Sequence, residues 1–497
     1  MKNFINKALS PQLFAMCYLP YLALNLMTVV NVLAFTRFCL VFFAAWGVAV
    51  CVKTFLFSGK EVYFEKYMAL LIGFLAVCFV TQVINFKYGG AAVIGRLAYF
   101  ALCILVLYSQ YKASVESYKK TLLVATRAIG GVVTVAMVAS LVMFFTLFTA
   151  RLPLRAGVNA YVGVAENRLY GVFSSPNVGG MYALILIWCA VVNLYYLKKS
   201  KLRPLWIFVS VFQIIVALTF ISVALSRGTY LAGAALLITF LLVRVPFAFE
   251  KRLNVWLRGL IRALSVAVCV VVVVGALSVL RVGSVKVAQA VVSLKEQTEA
   301  PDTPTEQTPQ DEKPSDSDTD KILDNLNEGF GGRVENTTSK QDITNKRKDI
   351  WMAHLTILKG KNLILGVNEP YDYYKLEKEA GKEFTHHQFV FIEYAKGNLH
   401  NGYLQILVHC GIVALALFML FVVICAVKSL LLVCRSGKAD YEKYKLFSLS
   451  LPMVVNILVN NVVESNMALM GANFFQALFW FAAGITVFCV YSKKEKK

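Results

Sequence analysis

The sequence predicts an all-α polytopic membrane protein of about twelve transmembrane helices with one long external loop. Three observations carry this. The chain of 497 residues is 58% hydrophobic, with a mean hydropathy of +0.63. Its apolar runs repeatedly reach 18 or more residues, the length that spans a bilayer core. Its short basic loops all fall on one side when those runs are threaded through a membrane.

The first apolar stretch comes after a basic start, Met1–Lys7, and continues through Val30. It has no small-residue cleavage pattern, so it is read as a retained helix. Expected spans are 12–30, 36–56, 66–82, 91–108, 122–148, 177–197, 204–224, 229–246, 259–281, 403–427, 446–463 and 471–491. With the N-terminus in the cytoplasm, the loops bearing Lys53, Lys60 and Lys66, then Lys112, Lys119 and Lys120, lie inside. So do Lys198, Lys199, Lys201 and Arg203, and then Arg244, Lys251, Arg252 and Arg258. Arg435, Lys438, Lys443, Lys445 and the Lys493–Lys497 tail complete the set. The expectation is a multi-pass protein of the cytoplasmic (inner) membrane with both termini cytoplasmic.

The formal charge of +21 does not indicate nucleic acid. The basic residues sit in those short loops, where they set topology and rest against anionic headgroups, and no nucleic-acid module is visible. The 11 cysteines lie in or beside apolar stretches, as at Cys78, Cys103, Cys269 and Cys425, and none falls in the long polar loop. A disulfide or zinc framework in that loop is thereby excluded.

The chain divides into three regions: helices 1–9 in residues 1–281, an external loop in 282–402, and helices 10–12 with a cytoplasmic tail in 403–497. Within the loop, 295–345 is rich in Pro, Asp, Glu, Ser and Thr and is expected to be disordered. Residues 346–400 are expected to be partly helical and part of an active site. Lys346–Leu358 reads as an amphipathic helix, Leu363–Asn368 as a short buried piece, and Tyr371–Tyr374 as an aromatic polar segment. The loop 149–176 and two tight turns, Ser226–Gly228 and Asn460–Ser465, reach the same side. No internal repeat is evident, which disfavours many transporter folds.

The stretch Asn398–Gln405 joins the polar loop to a long apolar run. A histidine and an amide, His400 and Asn401, at a membrane face are costly to place and mark the mouth of a site. His400 can accept or orient a hydroxyl proton, or it can serve only as a cap or interface residue. Arg227, heading a helix, can pair with a phosphate or merely snorkel. Arg347 is either a second anion ligand or one member of a solvated patch with Lys346 and Lys348. Arg168 is either a third cation or a fastener on backbone carbonyls. Glu464 is either a carboxylate for acceptor chemistry or a structural cap, and Asn401 is either a cap or a supporting group. His354, His386, His387 and His409 make no recognisable ligand set with Cys410, so no metal is expected. Ser174 and Ser226 lack an elbow motif, and covalent catalysis is disfavoured.

Three features together resemble the O-antigen ligase/polymerase family, which includes the Wzy-type polymerases and the lipopolysaccharide O-antigen ligases. They are Arg168-x-x-Gly171-x-Phe173-x-x-Pro176-Asn177; Ser226–Arg227–Gly228 heading a helix; and a loop with Arg347-x-x-x-Trp351, Leu365–Gly366 and His400–Asn401-x-x-Leu404-x-x-Leu407-x-x-x-Gly411. The resemblance runs from about residue 165 to 480, and the acidic, proline-rich insertion at 295–345 departs from it. It implies a GT-C-like glycosyltransferase, without bound metal or other cofactor, that uses a polyprenyl-diphosphate-linked glycan in the membrane. It further implies that Arg227 and Arg347 engage the diphosphate and that His400 serves catalysis; Glu464 is expected to join in catalysis from its place on the same face, and Arg168, Asn177, Trp351 and Asn401 are expected to contact or frame substrate. The expected task is polymerisation of lipid-linked repeat units into capsule, exopolysaccharide or O-antigen, with inversion at the anomeric carbon. Membrane lipids and a chain-length regulator stand as further partners. The alternatives are an O-antigen ligase using lipid A–core as acceptor and, from another class, a polysaccharide transporter or flippase.

Overall fold

The computed structural model describes residues 2–63, 66–109, 114–153, 159–165, 168–197, 201–249, 255–298, 347–358, 361–367, 398–434, 440–465 and 473–491. The expected disordered segment (299–345 of it), Tyr371–Tyr374, His386 and His387 lie outside these residues.

The chain begins with α1 (Lys2–Ala8), α2 (Pro11–Asn25), α3 (Thr28–Asn31), α4 (Phe35–Tyr63), α5 (Lys66–Ile84) and α6 (Phe86–Leu102). A π-helical turn over Cys103–Tyr108 extends α6 and leads to α7 (Val115–Phe145). Next come β1 (Thr149–Pro153), β2 (Asn159–Ala165) and β3 (Arg168–Gly171), then α8 (Pro176–Tyr195), α9 (Arg203–Ala224), α10 (Arg227–Phe249) and α11 (Val255–Thr298). The loop contributes α12 (Arg347–Leu355) and α13 (Lys361–Leu365), and the chain closes with α14 (Gly402–Cys434), α15 (Tyr441–Asn460) and α16 (Phe474–Tyr491).

The expected spans fall on helices, the first of them, 12–30, divided between α2 and α3. Among the described residues, nine helices are long and apolar enough to cross a membrane. The remaining three expected spans coincide with α2, with the shorter apolar helix Val93–Tyr108, and with α15. The helices start where small polar residues cap them: Ser10, Ser114, Ser175 and Asp440 each accept a hydrogen bond from the backbone N–H three residues on. Pro11 and Pro176 stand at the first helical position, where a missing N–H costs nothing. Burial separates centre from rim. The apolar windows of α8 and α16 are 72% and 78% buried, whereas those of α4 and α11 are 17% and 6% buried and face outward. The all-α multi-pass architecture holds.

Four local features differ from expectation. The loop 149–176 carries a three-stranded antiparallel sheet in the order β1–β2–β3, so the protein is not purely helical. The strands are short, and alternation over four to seven residues is a weak signal beside the helical runs. Helix α11 continues to Thr298, past the expected end at 281 and four residues into the segment expected to be disordered, because 282–294 stays largely apolar. The piece 363–368 is not buried throughout: Val367 is, but Leu363 and Ile364 are 41% and 53% exposed. The expected span 403–427 is broken at Gly411, where φ is 82°.

That break has a cause. A methyl at position 411 would lie 2.0 Å from the Ile364 carbonyl oxygen, so only glycine lets α13 pack against the helix backbone there. The carbonyls freed by the break find partners: Val367 N–H donates to Val408 O at 2.8 Å, and Thr81 Oγ1 donates to Cys410 O at 3.4 Å. Asn85 Nδ2 also donates to Gly366 O at 3.2 Å. Residues 408–411 of α14 are thereby clamped to the external segment at α13.

Candidate active site

Several chain ends meet at one end of the bundle. The N-termini of α8, α10, α12 and α14 bear, in order, Asn177, Arg227, Arg347 and the cap residue Asn401. The turn after α15 supplies Glu464. Helix N-termini expose unpaired N–H groups and carry the positive end of the helix dipole, so their convergence favours an anion.

Glu464 is the hub. Its Oε1 accepts from Asn177 Nδ2 at 2.6 Å and from Arg347 Nη2 at 3.0 Å. Its Oε2 meets His400 Nδ1 at 3.2 Å. The carboxylate side chain is only 15% exposed, against 21% for Arg347 and 36% for His400. Burial pushes its pKa upward, but the bond and charge of His400, then Arg347 and the Asn177 amide, outweigh that and hold it below the usual carboxylate range. Facing an ionised Glu464, His400 Nδ1 carries a proton, and in the neutral ring Nε2 is then the acceptor. His400 itself adopts the left-handed region at φ 49°, uncommon for a non-glycine residue, with its N–H held by Asn398 Oδ1 at 3.1 Å.

Asn177 links this hub to the next helix. Its Oδ1 accepts from Ser226 Oγ at 2.8 Å and from Arg168 Nη2 at 3.3 Å. Ser226 in turn caps α10, accepting from Thr229 N–H at 3.2 Å. Arg168 is 7% exposed and spends its guanidinium inside the fold, with Nε on Ala224 O at 3.2 Å and Nη2 on Leu225 O at 3.4 Å. It closes the C-terminus of α9, where Leu225 takes a left-handed conformation. These bonds to backbone carbonyls are those expected of a fastener. Asn401 likewise caps α14, with Oδ1 accepting from Tyr403 and Leu404 N–H and Nδ2 donating to Val462 O. Arg227, by contrast, is exposed in the first turn of α10. The helix lies close to the Glu464 turn, since a methyl at Gly228 would sit 3.0 Å from Val463 Cγ2.

Trp351 anchors the external helix by donating from Nε1 to Leu399 O at 2.8 Å. Ala353, Ile357 and Leu358 pack on Leu399 and Val408, a small apolar cluster that docks α12 on α14 and brings Arg347 to Glu464. His354 is buried in this seam with Nδ1 on Ile350 O at 2.8 Å, and burial lowers its pKa from 6.5 to about 4. A depressed histidine pKa favours docking only while the ring is neutral. Docking is therefore full above about pH 6.5 and is lost as pH falls towards about 4. Hydrogen exchange of residues 347–358 is expected to rise over that window in wild type and to stay flat in His354→Leu.

The sequence reading did not assign Ser226, Ser465 or Asn398 to this framework. Ser465 Oγ accepts from Asn401 N–H at 3.1 Å, tying α14 to the turn that carries Glu464. The S-x-x-T spacing at Ser226 and Thr229 is the one local signal that marks such a cap. Among the described residues no group of three His, Cys, Asp or Glu side chains is placed to hold a metal ion.

No curated protein matches the chain. Residues 212–419 match the family model Wzy_C, described as O-antigen ligase. That stretch contains Arg227, Arg347, Trp351, His400 and Asn401, while Arg168, Asn177 and Glu464 reach the same site from outside it. The chain is thus a multi-pass membrane protein that is similar over residues 212–419 to the O-antigen ligase family, a match that supports a part in O-antigen or polysaccharide assembly.

Proposed function

We propose that this protein transfers a glycan from a polyprenyl diphosphate to an acceptor sugar hydroxyl at the external face of the inner membrane, with both termini cytoplasmic. The observation that carries the reading is the Arg347–Glu464–His400 group at a convergence of helix N-termini beside Arg227. The acceptor oxygen attacks the anomeric carbon as its proton passes to His400 Nε2. Glu464 holds the opposite ring nitrogen and offsets the imidazolium charge. The bond from carbon to diphosphate oxygen breaks, and the electron pair leaves with the diphosphate. Arg227, Arg347 and the helix N-termini offset the charge that builds on it. A single displacement inverts the anomeric configuration.

The preferred acceptor is another lipid-linked repeat unit, which makes the protein a polymerase. The description of the matching family model favours a second reading, transfer to lipid A–core. Purified protein given only the lipid-diphosphate repeat unit, with chelator present, is expected to make a ladder of lengths on a gel. No ladder, but transfer once lipid A–core is added, makes it a ligase. No transfer under either condition by folded protein with a verified substrate overturns the glycosyltransferase reading.

A further inference from the structure

At the end of the bundle opposite Glu464, four helices crowd cations around a pair of tyrosines. The Arg244 guanidinium, on α10, lies 4.2 Å from the Tyr195 ring centre. Lys445, near the start of α15, lies 4.8 Å from the Tyr195 ring and 4.7 Å from that of Tyr196. Lys119, on α7, stands 5.5 Å from the Tyr196 ring and pairs with Glu116 at 3.2 Å and Glu442 at 3.8 Å. Glu442 attracts Lys445 from beyond ion-pair distance, whereas Lys119 and Arg244 repel it. Among the described residues neither Arg244 nor Lys445 has a carboxylate within ion-pair distance.

An apolar slot lies one to two helical turns from this cluster along α8, α10 and α15. It is a cavity of about 290 Å³ between α8, α9, α10, α11 and α15, lined among others by Trp188, Val191, Gly233, Phe240 and Pro452. Tyr195 lies four residues beyond Val191, Arg244 four beyond Phe240, and Lys445 seven before Pro452. At helical spacing these place the cations and the ring on the faces that line the slot. One wall is α11, whose apolar window is only 6% buried, so the slot lies against the lipid-facing rim.

We propose that this slot binds an anionic glycerophospholipid, with its phosphate on Arg244 and Lys445 and one acyl chain between α8, α10 and α11. Two cations with no carboxylate within ion-pair distance among the described residues, near the end of an apolar slot, complement an anion attached to a chain, and basic pockets between membrane helices bind such headgroups. The diphosphate of the proposed donor is excluded as the anion here. Arg227 and Arg244 are 17 residues apart on one helix, about 26 Å at the rise of an α-helix, too far for one diphosphate to meet both.

The test is thermal unfolding of the full-length protein in neutral detergent, titrated with dioleoyl phosphatidylglycerol. A saturable rise in the midpoint is expected, with none from dioleoyl phosphatidylcholine. Arg244→Gln with Lys445→Gln weakens the apparent affinity roughly thirtyfold, as expected for two cations at a lipid surface. Gly233→Leu weakens it with the cations intact, because the added side chain meets Leu184 and fills the slot. Native mass spectrometry of wild type in an equimolar mixture supplies a reading that needs no variant: phosphatidylglycerol adducts are retained and phosphatidylcholine adducts are not. Equal responses to the two lipids overturn the proposal. So does a midpoint raised only by undecaprenyl monophosphate and unaffected by the double substitution, which assigns the slot to a prenyl tail entering from the other end.

Discussion

Glu464→Gln is expected to lower the rate of glycan transfer by on the order of 10²–10⁴-fold, close to the loss from His400→Ala. The substitution is nearly isosteric. Its amide oxygen still accepts from Asn177 and Arg347, as Oε1 does now. The amide nitrogen then faces His400 Nδ1, where the carboxylate oxygen stood at 3.2 Å, and a donor meets a donor. The ring relieves the clash by moving its proton to Nε2, the atom that has to accept the substrate proton. The counter-charge for the imidazolium is lost as well. Binding of the lipid-diphosphate donor should change little, since both arginines remain. The check is single-turnover transfer together with donor affinity on folded protein. A Glu464→Gln enzyme within threefold of wild type would remove Glu464 and the relay from the mechanism.

Arg227→Ala should cost on the order of 10²–10³-fold in transfer, the loss typical for one group aimed at developing charge. Arg227 is exposed on the first turn of α10, so thermal unfolding should shift little. Arg347→Ala is expected to combine a loss of transfer with a lower unfolding midpoint. It strips the buried Glu464 of a partner at 3.0 Å and releases the start of α12. Arg227→Lys should recover only part of the loss, because a single ammonium cannot reproduce the planar, two-pronged contact with a phosphate. Transfer by Arg227→Ala at the wild-type rate would move the diphosphate away from α10.

The spans were legible because a bilayer demands long apolar runs, and the expected runs fall on helices, with 12–30 divided between α2 and α3. Arg227, His400 and Glu464 were legible as polar groups at the ends of such runs, where charge is costly unless used, and Arg347 from its place at the head of the amphipathic external helix. The α12 helix was legible from its period, and Trp351 from its spacing to Arg347. The sheet at 149–171 was not, because its strands are short and bend at a register shift between Gly163 and Val164. Nor was the break at Gly411, since a glycine inside an apolar run is compatible with an unbroken helix until α13 is seen against it.

The amino-acid sequence by itself determined a helical membrane protein, the order of its spans, and which charged residues stand at their ends. Only the tertiary structure decided which of these share a site and which fasten the frame. Asn177 and Glu464 are 287 residues apart and His400 and Glu464 are 64 apart, yet they share one carboxylate. Arg168 and Arg227 look alike as interfacial arginines, but one is folded onto the carbonyls that end α9 and the other is exposed at the start of α10. Local sequence sets where a helix begins and which face is apolar. Which helix ends meet depends on long-range packing, and no local period encodes it.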